Sequence, residues 1–132
     1  MRIAFAALYF SASFSALSLC PTAALAQEGD AEAGATVFKR CATCHVIDED
    51  QNKVGPSLKG IMGRTAGTHP DFKYSQAMVD AGKGGLVWDE ATLANYLRNP
   101  RAKVKGTKMV FPGLKKDEEL ANVIAYLKQH SQ

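Results

Sequence analysis

The feature that most restricts the fold of this chain is the segment Cys41-Ala42-Thr43-Cys44-His45, which contains two of its three cysteines. The spacing C-x-x-C-H is the attachment signature of a c-type haem. Two thiols that add to the two vinyl groups of one porphyrin must lie about one helical turn apart, and the following histidine then falls beneath the ring with a nitrogen directed at the iron. The sequence therefore predicts covalent haem at Cys41 and Cys44, with His45 as an axial ligand.

Three other uses of paired cysteines fit the sequence less well. A thioredoxin-like dithiol needs a preceding strand and a βαβ pattern, which the sequence does not show. A structural zinc site needs a second ligand pair, whereas the remaining histidines, His69 and His130, are single and far apart. A plain disulfide gives no role to His45. Covalent haem is the interpretation we adopt, and a dithiol oxidoreductase is an alternative from another class.

The first 26 residues have the pattern of an export signal. Arg2 is followed by a long apolar run, and Ala24-Leu25-Ala26 forms a small-x-small cleavage site. We therefore expect a signal peptide, 1–26, that is removed before Gln27, and one mature domain, 27–132. An uncleaved membrane anchor is the alternative. Together with the C-x-x-C-H motif, this signal predicts a location in a bacterial periplasm.

The second axial position decides what the iron can do. Methionine or histidine there suits an electron carrier, whereas an empty position favours gas binding or peroxide chemistry. Met109 is the first choice, because it lies in the glycine-bracketed segment 106–113, and such a loop can direct a side chain inward. Met62 and Met78 lie in segments typical of packing, where methionine is a common filler. A haem enzyme or gas sensor with an open iron site remains an alternative.

Hydrophobic periodicity predicts an all-α fold of about four to five short helices. Gly34 is expected to lie against the last helix, since a mid-helix glycine costs stability unless it permits close approach. The eleven glycines and five prolines indicate long loops. We therefore predict one small domain wrapped around the haem, with its N- and C-terminal helices packed together. The predicted helices span residues 31–40, 74–81, 89–99 and 117–129.

Between residues 29 and 129 the chain carries an ordered set of motifs, at 37–45, 54–58, 63–67, 72–75, Trp88, 96–100, 106–109 and 123–127. With these motifs the chain resembles the class I cytochromes c, of the mitochondrial and bacterial cytochrome c2 type. The attachment motif alone specifies only haem, whereas the ordered set of motifs is specific to this family. The resemblance implies an electron carrier with one covalent haem c rather than an enzyme. A dedicated cytochrome subunit of a periplasmic oxidoreductase remains an alternative.

The resemblance also implies the iron ligands. Cys41 and Cys44 match the thioether positions, and His45 matches the proximal ligand. Met109 matches the sixth ligand. Pro56 matches the residue whose carbonyl accepts the other N–H of the proximal imidazole, which sets its tautomer.

Further positions match residues that surround the haem in this family. Tyr74 and Trp88 match residues that hydrogen-bond a buried propionate, and Arg64 lies nearby. Tyr96 matches a residue whose hydroxyl points toward the ligating sulfur, and Phe111 matches an aromatic that covers one haem face. The alternative role of these aromatic side chains is core packing alone.

The charge distribution predicts how the carrier meets its partners. Residues 27–132 contain fifteen Lys and Arg and thirteen Asp and Glu, a net charge of +2. One stretch nevertheless has five cations and no acid, and we call it the basic segment. We expect it to form a positive face beside the haem edge that steers acidic membrane or periplasmic redox proteins. The low charge argues against nucleic acid, and we expect a monomer. The basic segment comprises Arg98, Arg101, Lys103, Lys105 and Lys108.

Two positions depart from the family pattern. Lys105 stands where a proline usually precedes Gly-Thr-Lys-Met, and Lys103 stands where an aromatic residue is frequent. Because proline reduces the conformational freedom of the backbone, we expect a more mobile loop around Met109.

Overall fold

The computed structural model describes residues 28–132, so the predicted signal peptide, 1–26, lies outside the described residues. Helices and long loops make up this part of the chain, together with one isolated antiparallel bridge between Thr65 and Val87. No helix among residues 28–132 combines the length and apolarity needed to cross a membrane. The all-α prediction is confirmed. The helices are α1 (Ala31–Ala42), α2 (Gln76–Lys83), α3 (Glu90–Arg98), α4 (Pro100–Lys103) and α5 (Asp117–Gln129).

The two terminal helices, α1 and α5, pack closely against each other. A Cβ atom added at Gly34 would lie 2.1 Å from the carbonyl oxygen of Asn122, so only glycine permits this approach. The rings of Phe38 and Tyr126 meet at the same contact, with centroids 5.2 Å apart. The prediction for Gly34 and for the packing of the terminal helices is therefore confirmed. The apolar face of α5 is buried at Leu120, Val123, Ile124 and Leu127.

Capping side chains explain where the observed helices differ from the predicted ones. The N–H of Met78 donates to the hydroxyl of Ser75, which ends the preceding loop, so α2 begins later than predicted. Helix α3 ends directly before Asn99 and Pro100, close to the predicted limit at residue 99. Pro100 also begins α4, because a proline at the first helical position loses no helical hydrogen bond. The Asn99 side chain accepts the N–H of Ala102 and caps this short helix.

Candidate functional site

A cavity of about 280 Å³ lies within the core, between α1, α3, α5 and the loops that join them. Four chemically reactive side chains from two distant parts of the sequence face it, namely Cys41, Cys44, His45 and Met109. The fold therefore brings together the C-x-x-C-H motif and the methionine chosen from the sequence. The rest of the wall is largely apolar and includes Phe38, Ile61, Trp88, Leu93, Leu97, Val123 and Leu127.

A turn at the end of α1 places both cysteines on the cavity. The helix continues two residues beyond the predicted end, and the N–H groups of Cys44 and His45 both donate to the Cys41 carbonyl at 3.0 Å. The two thiols form no disulfide. Burial raises the pKa of Cys41 against the opposing charge of Arg40. Within residues 28–132, no three His, Cys, Asp or Glu side chains converge as they would around a zinc ion.

The imidazole of His45 is held in one tautomer. Its Nδ1 lies 2.7 Å from the carbonyl oxygen of Pro56, and a carbonyl can only accept a hydrogen bond, so Nδ1 carries the proton. Nε2 therefore has a lone pair available to a metal. Burial lowers the pKa of His45, opposed by the bond to Pro56, so the ring is neutral. Gly55 lies directly against the ring, where an added Cβ would meet Cε1 at 2.3 Å.

The thioether of Met109 is positioned by two hydroxyl groups. The Sδ atom of Met109 lies 3.4 Å from the hydroxyl of Tyr96. The backbone N–H of Met109 donates to the Thr107 hydroxyl at 3.3 Å. The two hydroxyls lie 3.1 Å apart. Burial raises the pKa of Tyr96, opposed by the bond to Thr107, so its hydroxyl is protonated and can donate.

Four aromatic residues singled out in the sequence line the same cavity. Trp88 and Tyr96 are buried, with ring centroids 4.9 Å apart. Tyr74 and Phe111 are half-buried at its edge. Their positions suit both haem contact and core packing.

Arg64, in contrast, does not line the cavity. Its guanidinium donates to the carbonyl of Ser57 at 2.8 Å and to that of Lys59, so it joins two loops through their backbones. The cationic side chain that does face the cavity from α1 is Arg40, which also pairs with Glu119 at 3.1 Å. Arg40 was not predicted as a site residue, although its position directly before Cys41 is a local signal.

All five residues of the basic segment are exposed, but only Lys108 lines the cavity. Arg98 forms an ion pair with Asp117. Two apolar residues that were not predicted as site residues also line the cavity. They are Val54 and Val110, which are 80% and 86% exposed. The cavity therefore opens to solvent between apolar side chains, with a lysine beside them.

These donors fit a covalently attached haem. Two thiols without a disulfide, a neutral imidazole and a thioether face one apolar cavity. A haem would form thioether bonds with two such thiols, and imidazole with thioether is a ligand pair typical of cytochromes c. The fold and the site thus define a small all-α protein built around one prosthetic group.

Comparisons with known proteins identify the family. The family model described as cytochrome c matches residues 31–131. The chain is 54% identical to cytochrome c2 from Agrobacterium tumefaciens, over 76% of this chain and 91% of that protein. It is 45% identical to cytochrome c2 from Cereibacter sphaeroides, over 98% and 97% of the two chains. The solved structure of cytochrome c2 from Rhodospirillum centenum is 39% identical and covers 79% of this chain and 100% of that one, with a TM-score of 0.75.

The chain therefore belongs to the cytochrome c family. It is an electron-transfer protein that binds one covalent haem c, and its partners are redox proteins. The predictions of family, cofactor and general function are confirmed, and the dithiol oxidoreductase is excluded.

Proposed function

We propose that this chain is an exported carrier of single electrons whose haem is attached at Cys41 and Cys44, with His45 Nε2 and Met109 Sδ as axial ligands. The observation that supports this proposal is the convergence of all four side chains on one cavity. The haem iron supplies the one-electron couple when it is bound. With His45 and Met109 both holding the iron, a substrate would have no access to the metal, and neither oxidation state would need a change of ligand.

The residues behind the ligands set the properties of the site. Pro56 fixes the imidazole, and its carbonyl makes the ring a better electron donor. Tyr96 and Thr107 orient the thioether. The apolar wall would keep most water from the bound group, and ligation by Met109 and His45 would raise its reduction potential. We therefore propose a relatively high potential for this carrier.

The basic segment and the apolar opening support a proposal for partner docking by a monomeric carrier. Lys108, Val54 and Val110 lie where the cavity meets solvent, so electrons would leave through this opening. Arg101, Lys103 and Lys105, which form no ion pair within residues 28–132, would attract acidic partners from a distance. The charge of Arg98 is offset by Asp117, so it would contribute least.

The proposed location is the periplasm. It is supported by the signal pattern of residues 1–26 and by the C-x-x-C pair, which suits an exported protein. Mass measurement of protein released from the periplasm of an expressing bacterium checks this, with Gln27 expected at the mature N-terminus. A chain that keeps Met1 and sediments with membranes would contradict it.

Absorption spectra of purified, oxidised and reduced holoprotein test the ligand assignment. We expect an iron–sulfur charge-transfer band in the oxidised protein, haem that survives acid-acetone extraction, and no binding of CO by the reduced protein. Met109→Ala should lose the band and bind CO, whereas the control Met62→Ala should keep the wild-type spectra. CO binding by the wild-type protein would instead support an open iron site.

Reaction rates with an inorganic anion test the basic segment. Lys103→Glu combined with Lys105→Glu should slow reduction of ferricyanide by on the order of tenfold at low ionic strength. The effect should fade at high salt, where charges are screened. The control, Lys39→Glu with Lys83→Glu, makes the same change of charge on α1 and α2. Equal slowing in both double variants would show that net charge alone matters.

A further inference from the structure

A second depression, which we call the α1 groove, lies on the surface beside His45. It runs between α1 and the loop that follows the C-x-x-C-H motif, and it is open to solvent. Its volume of about 320 Å³ is at the lower end of the range that is typical of sites for small molecules. Among the described residues, only Phe38 and His45 line both this groove and the core cavity. The groove is therefore separate from the proposed haem site.

One face of α1 forms the floor of the groove. Ala35, Phe38 and Ala42 are spaced three and four residues apart, so their side chains lie on the same side of the helix. The two alanines leave room above the helix that longer side chains would fill. At one end the ring of Tyr126 lies against that of Phe38, with centroids 5.2 Å apart. The floor and this end are therefore apolar and partly aromatic, which favours contact with a flat ring.

The rim of the groove is positively charged. It carries Lys39 on α1 and Lys53 on the opposite loop, and both side chains are exposed. Neither lysine forms an ion pair within residues 28–132. Of the described residues that line the groove, only Asp48 is acidic, and its Oδ1 is already held by Nδ1 of His130 at 2.9 Å. Two unpaired cations beside one hydrogen-bonded carboxylate favour an anionic ligand.

The hydroxyl of Tyr126 adds a hydrogen-bond donor to the groove. Burial raises the pKa of Tyr126, and the negative charge of Asp48 raises it further, so the phenol keeps its proton at neutral pH. An anion in the groove can therefore accept from this hydroxyl as well as from the two ammonium groups.

We propose that the α1 groove binds a small aromatic anion, with its ring on the floor formed by α1 and its negative group between Lys39 and Lys53. A carboxylate in this position accepts charge-assisted hydrogen bonds from the ammonium groups, which are stronger than bonds between neutral groups. The ring covers the exposed edges of the Phe38–Tyr126 pair and displaces water from apolar surface. This site needs only the folded holoprotein, so it does not depend on the proposed electron-carrier function.

NMR titration of the reduced holoprotein with 2-naphthoate tests the site. We expect the backbone amide signals of residues 35–48 and of Tyr126 to move in a saturable manner. The dissociation constant should be on the order of 1 mM, as expected for a ligand of this size in an open groove. Signals of Lys108 and Val110, at the opening of the core cavity, should stay in place. The neutral analogue 2-naphthalenemethanol should bind about tenfold more weakly, because it lacks the charge.

Variants separate the contribution of charge from that of shape. Lys39→Gln combined with Lys53→Gln should weaken binding of 2-naphthoate about tenfold. The matched control is Lys83→Gln with Lys116→Gln, which removes the same charge from exposed positions outside the groove and should retain binding. Ala42→Leu keeps both cations of the rim but fills the floor, and it should abolish the saturable shifts. Ala42 is exposed, so the longer side chain should leave the fold intact.

Equal weakening of binding in the two double variants would overturn the proposal, because net charge alone would then hold the anion. Shifts confined to the signals around Lys108 would also overturn it, since they would place the anion at the core cavity. Inorganic sulfate gives a further check on the floor. If sulfate and 2-naphthoate bound with equal affinity and moved the same signals, the apolar floor would play no part and the assignment to an aromatic anion would be wrong.

Discussion

The two sides of the cavity hold their candidate ligands by different means. On the side of His45, backbone groups make the contacts. The Pro56 carbonyl accepts a hydrogen bond from the ring, and the Gly55 backbone packs against it. On the side of Met109, the contacts come from the side chains of Tyr96 and Thr107. Backbone positions are set by the fold itself, whereas side-chain hydroxyls can rotate away. The imidazole is thus positioned by the main chain, and the thioether is positioned by contacts that can be lost singly.

A second difference concerns the loop that carries Met109. The Met109 loop is fixed at its ends, where Thr107 N–H donates to the Val104 carbonyl at 3.1 Å and Leu114 N–H donates to the Leu97 carbonyl at 2.9 Å. Between these anchors Val110 is 86% exposed. A loop with exposed backbone and few buried contacts opens locally at low cost. We therefore expect loss of the thioether contact before any loss of the imidazole contact.

The largest expected effect is that of Gly55→Ala. An added Cβ would lie 2.3 Å from His45 Cε1, so either the ring or the backbone must move. We expect a loss of about 3 kcal/mol in the free energy of unfolding, the upper end of ordinary overpacking costs. Guanidinium titration of the holoprotein followed by circular dichroism measures this. Gly84→Ala is the control, since its nearest contact would be an ordinary 3.4 Å. Equal stability of the two variants would refute the steric argument.

Asn52→Ala removes the side chain that ties the loop beside Pro56 to the Pro70 carbonyl. Two hydrogen bonds disappear, at 2.9 and 3.0 Å, and the buried N–H of Ser57 loses its partner. We expect a loss of about 2 kcal/mol in the free energy of unfolding, since each bond contributes about 1 kcal/mol. The iron–sulfur band should remain, because the Met109 side is untouched. Loss of that band in this variant would show that the two sides are not independent.

Tyr96→Phe tests the opposite side of the cavity. The change deletes the hydroxyl near Met109 Sδ and Thr107 Oγ1 but keeps the buried ring. We expect a cost of about 1 kcal/mol in the free energy of unfolding. The iron–sulfur band should be lost at a lower guanidinium concentration than in the wild-type protein. Tyr126→Phe, on the α1–α5 contact, is a matched control that should leave this band unchanged. If the band of Tyr96→Phe were lost at the wild-type guanidinium concentration, the Tyr96 hydroxyl would not position Met109.

Lys105→Pro gives the smallest expected effect, and its sign is favourable. Val104–Thr107 form a turn closed by a 3.1 Å hydrogen bond, with Gly106 at φ +92°, which is the geometry of a type II turn. Proline suits the position of Lys105 in such a turn and restricts the unfolded chain, so we expect a gain of about 0.5 kcal/mol. Lys103→Pro should destabilise instead, because its N–H donates to the Asn99 carbonyl. Thermal unfolding of both variants distinguishes these outcomes, and a loss of stability in Lys105→Pro would contradict the turn assignment.

Helix-level features were the most predictable from the sequence. The range of α5 was predicted correctly, and Gly34 was correctly placed against it, because the helical period and the cost of a mid-helix glycine are local properties. The short helix α4 was missed. Its signal was nevertheless local, because Asn99 and Pro100 together form a helix start.

The sequence by itself determined that two thiols and an imidazole lie at one helix end, since residues about a turn apart share a helix face. Only the tertiary structure decided what meets them from elsewhere in the chain. It brings Met109 to the cavity, directs Arg64 to backbone carbonyls and places Asp50 beside His69. The physical reason is that such meetings depend on how long loops pack and on which buried polar groups find partners. Neither the packing of long loops nor the pairing of buried polar groups can be inferred from a local period in the sequence.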